Sequence, residues 1–98
     1  MADDEQRAAD EPSVEELIEQ IRGIAIGQFL LSTVSTLASL TYAKLEGGDL
    51  EQTRTGIEGL LALIPVLEGE IDPGLKRDLE ATLANLQVAY ADAMAAGE

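Results

Sequence analysis

The sequence contains no cysteine and no histidine. Without a thiol there is no disulfide, no thiolate nucleophile and no zinc-finger ligation. Without an imidazole there is no proton transfer of the usual histidine kind near neutral pH. Tryptophan is missing as well, and Phe29, Tyr42 and Tyr90 are the only aromatic side chains, so any core must be aliphatic. Such a core is thin, because a domain of this size buries only about 60–65% of the surface its unfolded chain exposes. With neither disulfide nor evident metal to staple it, oligomerisation is an attractive source of further buried area.

Cations are scarce: six Lys and Arg stand against nineteen Asp and Glu, for a formal charge of −13. A nucleic-acid binder displaces counterions from phosphates with Lys and Arg, and this chain has few to offer. No nucleic-acid partner is expected, and anionic lipid headgroups are disfavoured for the same reason. The run from Met1 to Glu5 is acidic and polar, the opposite of a signal peptide's basic and apolar start, so cytoplasm is the expected compartment.

Residues 1–12 have no hydrophobic periodicity and are rich in Asp, Glu and Ala, which reads as a disordered acidic arm. Ser13 and Glu16 have the spacing of a capping box, and Val14, Leu17, Ile18 and Ile21 follow at helical spacing. Gly23 and Gly27 interrupt that pattern, each costing about 0.8–1 kcal/mol relative to Ala inside a helix. They permit a bend or break, and their small-xxx-small spacing also suits close helix approach.

The least ordinary segment is Ile24 to Ala43, twenty residues without a charge. On a helical projection Gln28, Ser32, Ser35 and Ser39 fall in one stripe, and the other side carries Ile26, Phe29, Leu30, Val34, Leu37, Ala38 and Leu40. The result is an amphipathic helix whose polar face is small and uncharged. Gly47 and Gly48 end it. Asp49 caps the next helix, with Ile57, Leu60, Leu61, Ile64 and Leu67 on its apolar side. Pro65 removes a backbone hydrogen bond there, which predicts a kink near Leu61 to Ile64 or an early end to regular helix. Gly69 stops this segment. Asp72 and Pro73 open the last helix, whose apolar stripe is Leu75, Leu79, Leu83, Leu86, Tyr90 and Ala93.

Candidate chemistry is sparse. The carboxylates Glu15, Glu16 and Glu19, and again Glu68, Glu70 and Asp72, read as solvated groups near helix starts, where acids complement the dipole. The second group is too short and irregular for a calcium loop. The hydroxyl stripe has no histidine to act as base, and there is no nucleophile elbow, phosphate-binding loop or dinucleotide fingerprint. No catalytic residue, metal or cofactor is expected. A membrane span at residues 24–43 has the right length, but one Gln and six Ser or Thr make it the weaker reading. The missing charge is instead what interface cores show, and Gln28, Phe29, Ser32, Ser35, Thr36 and Ser39 are the candidate interface residues.

The stretch from Phe29 to Leu40, FLLSTVSTLASL, resembles the opening helix of an uncharacterised bacterial family labelled domain of unknown function 1844. The likeness continues through Asp49, Ile57, Leu60, Gly69 and the capped helix from Asp72 to Tyr90, covering about residues 26–92. The Gly47–Gly48 turn and Pro65 depart from the family pattern. The resemblance implies a compact helical protein, brings no established activity and carries over no functional residue.

The expectation is therefore an all-α protein, a small three-helix antiparallel bundle completed by oligomerisation. The arm occupies residues 1–12 and one helical domain residues 13–96, with helices over about 14–46, 50–68 and 73–96. The expected role is non-catalytic association, with a second copy of the chain as partner (a homodimer). A different protein, steered by the acidic arm, is the alternative, and membrane association the weaker third.

Overall fold

Three polar side chains fix where helices begin. In a computed structural model, which describes residues 13–97, Ser13 Oγ accepts the amide of Glu16 at 3.1 Å and starts α1, Val14–Arg22. Asp49 Oδ1 accepts the amide of Gln52 at 3.2 Å ahead of α3, Leu50–Leu63. Asp72 Oδ1 accepts the amide of Gly74 at 2.7 Å ahead of α4, Pro73–Ala96. Each satisfies a helix N–H that has no partner within its own helix. The arm proposed for residues 1–12 lies outside the described residues.

The helix expected over 14–46 is two helices. Gly23 caps α1 and the chain turns before α2, Ile26–Glu46, so that the two axes meet at 85°. Gly27, in the first turn of α2, is buried: a Cβ there would lie 2.9 Å from Glu70 Cβ. The glycine spacing thus serves a break at one position and close approach of the 69–71 loop at the other.

At its far end α2 stops in a Schellman turn. The amide of Asp49 donates to Lys44 O at 2.9 Å, that of Gly48 donates to Leu45 O at 3.1 Å, and Gly48 takes φ +81°. The reversal lays α3 back along α2. Pro65 brings the early end to regular helix: α3 stops at Leu63, and a 3-10 turn, Ile64–Leu67, carries the chain onward.

The architecture is all-α, with no strand among the described residues. The 3-10 turn, α2, α3 and α4 pack on one another around Val34, Ile57, Leu60, Ile64, Leu67, Leu83 and Leu86. Leu30, Leu37, Ala38, Leu45, Leu63, Ile71, Leu79 and Tyr90 close round this cluster. Two threonines complete it: Thr41 and Thr53 are buried, and each hydroxyl bonds back to its own helix, to Leu37 O at 2.7 Å and Asp49 O at 2.8 Å.

The contact between α2 and α3 depends on glycines. A Cβ at Gly56 would lie 2.9 Å from Thr41 Cβ, and one at Gly59 would lie 3.0 Å from Leu37 Cδ2. Small residues here let two backbones approach closely. By contrast α1 packs on none of the other described elements. The Cα radius of gyration is 19.3 Å, against about 13 Å for a compact chain of this length.

Candidate interaction surface

The side of α2 turned away from the core is where the sequence placed its interface. Gln28, Phe29, Ser32, Ser35, Thr36 and Ser39 are all exposed. They form two adjacent rows. Gln28, Ser32, Ser35 and Ser39 make the hydroxyl stripe. Phe29 and Thr36 join Thr33 and Leu40 in a more apolar row beside it, with Phe29 61% exposed. Thr33 donates its hydroxyl to Phe29 O at 3.0 Å, a bond made within its own helix. Ser32, Thr33, Thr36, Leu37 and Leu40 border a shallow groove along this row. No charged side chain occurs on α2 before Lys44.

Three residues on the expected apolar side of this helix are not in the core. Ile26, Phe29 and Leu40 face solvent, while the core takes Val34 and Thr41 from α2. The helical period places a stripe correctly but makes it too wide, because the thin bundle covers only one flank of α2. Leu61 is a similar correction, exposed on α3 although it belongs to the expected apolar set. Leu75, at the start of α4, is also exposed.

The exposed apolar surface runs on past α2. Val14, Leu17, Ile18 and Ile21 of α1, and Ile24 in the turn, are all exposed, Val14 by 71% and Ile21 by 66%. A globular chain of this size leaves single apolar residues outside without consequence, but a contiguous row marks a contact surface. Where α1 meets α2, Ile21, Ile24, Ile26 and Phe29 line an apolar cleft of about 270 Å³. The sequence pattern gave α1 its amphipathic face. It held no signal that the other described elements would leave this face uncovered.

The charges lie elsewhere and are occupied with local structure. Lys76 Nζ pairs with Glu68 and, at 3.1 Å, with Glu80, and these hydrogen bonds hold its ammonium above the ordinary lysine range. Arg54 pairs with Glu58 one turn along α3 at 3.1 Å. Of the loop acids, Glu68 is in the Lys76 pair, Asp72 caps α4 and Glu70 lies against Gly27. Among the described residues no group of three or more Asp or Glu is placed to hold a metal ion.

No single helix among the described residues is long and apolar enough to cross a membrane. Helices α1 and α2 together reach the required length and composition, but they are bent by 85°. Comparison of the chain with family models, with curated proteins and with solved structures finds no match.

Proposed function

We propose that this chain is a non-catalytic helical association module that forms a homodimer through the outward surface of α2. The observation that carries this reading is the exposure of Gln28, Phe29, Ser32, Ser35, Thr36 and Ser39 on a helix without charge from Ile26 to Ala43. A chain that is 26% charged has ample Glu and Lys with which to solvate an ordinary helix face. Depletion of charge, with small side chains that let helices approach, is the composition of an interface core. Exposed Phe29 and Leu40 add apolar area beside the hydroxyl stripe. The thin aliphatic core gives the motive, since dimerisation adds buried surface that a single chain of this size lacks. The resemblance to the family of domain of unknown function 1844 supplies no activity, so the reading rests on the surface alone.

Ser35→Glu tests it. Ser35 is exposed in the single chain, so the variant folds, but in the dimer it leaves an unpaired carboxylate in the contact, which costs several kcal/mol. Size-exclusion chromatography with light scattering is expected to give a dimer for the wild type and for Ser35→Ala, and a monomer of 10.4 kDa for Ser35→Glu. A Ser35→Glu dimer as tight as wild type contradicts the placement on this stripe.

A further inference from the structure

Helix α1 has an apolar face and no neighbour among the described elements. Its stripe, Val14, Leu17, Ile18 and Ile21, recurs at spacings of three and four, the seam of a helix that pairs with another helix. Every residue of α1 is exposed, and the 85° elbow turns the helix away from its own α2. At nine residues, α1 is shorter than the roughly 12–15 needed for even marginal stability alone in water.

We propose that α1 pairs antiparallel with α1 of a second copy of this chain, about a two-fold axis near Ile18. The second copy's Val14 and Leu17 then fill the cleft lined by Ile21, Ile24, Ile26 and Phe29. This rests on the self-association proposed above and adds to it a contact that α2 does not make.

Charge selects both the occupant and the direction. Glu15 and Arg22 flank the apolar stripe on the same side, at opposite ends of α1. An antiparallel pair sets each Arg22 beside the second copy's Glu15. A parallel pair sets this flank against the Gln20 flank of the second copy, where neither Glu15 nor Arg22 finds an opposite charge. A lipid surface fits poorly, because helices that lie on membranes carry Lys and Arg on the polar face and this one carries Glu15, Glu16 and Glu19.

Area agrees. The exposed parts of Val14, Leu17, Ile18, Ile21, Ile24, Ile26 and Phe29 amount to on the order of 500 Å² per copy, from the area that underlies side-chain transfer energies. Across two copies that is about 1,000 Å², where specific interfaces begin. The face is self-complementary, ridge at one end and cleft at the other, as a two-fold contact requires.

The natural chain has no cysteine, so single introduced thiols report proximity without background. Under mild oxidation Ile18→Cys, on the axis, is expected to form a disulfide-linked dimer. Val14→Cys is expected not to link to itself, since antiparallel pairing separates the two copies of residue 14 by on the order of 12 Å along the helix. Mixing Val14→Cys with Arg22→Cys is expected to restore linkage. Independently, Ile21→Asp should weaken the dimer at least tenfold by light scattering, with α2–α4 still folded by circular dichroism.

Linkage of Val14→Cys to itself as efficient as that of Ile18→Cys overturns the antiparallel geometry. A dimer that persists in Ile21→Asp but dissociates in Ser35→Glu overturns the α1 contact while leaving the α2 reading in place. A wild-type monomer overturns both. Flotation of monomeric wild type, but not Ile21→Asp, with phosphatidylcholine vesicles would put a lipid surface where the second copy is proposed.

Discussion

Thr41 and Gly56 set how closely α2 and α3 approach. Thr41 is β-branched, buried and held by its hydroxyl at Leu37 O, so it cannot swing aside for a new methyl group. Gly56→Ala therefore overpacks this crossing by about 1–3 kcal/mol, offset by about 1 kcal/mol of improved helix propensity. The net expectation is a destabilised protein, with a midpoint lower by roughly 4–8 °C for each kcal/mol lost. Gly59→Ala is the contrast. Its new Cβ meets only the end of the Leu37 side chain, at 3.0 Å, and Leu37 can shift, so thermal melts should show a smaller effect.

A second residue-scale expectation concerns alkaline pH. Lys76 has its folded-state pKa raised above about 10.5 by hydrogen bonds to Glu68 and Glu80, and its side chain is 20% exposed. A raised pKa means the folded state holds the proton more tightly than the unfolded state does. Its stabilisation is therefore full below about 10.5 and disappears as pH rises through the higher folded value. Urea titrations should find Lys76→Met less stable than wild type at pH 8, with the gap closing above that range. A gap that stays constant across the alkaline range contradicts the ion-pair origin.

Elements differ in how far local sequence decides them. Ser13, Asp49 and Asp72 are readable as caps because a cap involves only residues two or three apart. The break at Gly23, the Schellman turn at Gly47–Gly48 and the end of α3 before Pro65 are likewise local, and their positions follow from residue chemistry. The role of Gly56 and Gly59 was not readable, because it depends on which side chains of α2 arrive opposite them. The same holds for Ile26, Phe29, Leu40 and Leu61: a helical period marks an apolar side, but the partner decides how much of it is covered.

Helix α1 is the sharpest case. Its amphipathic pattern is strong, yet no other described element packs on it to hold it helical. The expected consequence is concentration dependence. Amide exchange over Val14–Arg22 should slow as protein concentration rises through the dimer range, while exchange around Leu60 and Leu86 in the core changes far less. Equal protection of α1 at low and high concentration contradicts a cover supplied by a second copy.

For the whole molecule, acidity and association occupy different surfaces. Charge gathers on solvated helix faces and in the segment before Ser13, and the uncharged run from Ile24 to Ala43 is set apart from it. A formal charge of −13 opposes association through mutual repulsion, so the contact must lie where that charge is absent. Both surfaces singled out, the outer rows of α2 and the apolar face of α1, meet at the elbow and leave room for one continuous contact. Added salt should then tighten the dimer, because the repulsion it screens between two chains of charge −13 outweighs the Arg22–Glu15 attraction it also screens.

Sedimentation equilibrium of the wild-type chain across a range of micromolar concentrations tests the central claim most directly. The mass is expected to rise with concentration to twice 10.4 kDa and stay there. A mass that remains at 10.4 kDa to tens of micromolar, in moderate salt, contradicts it.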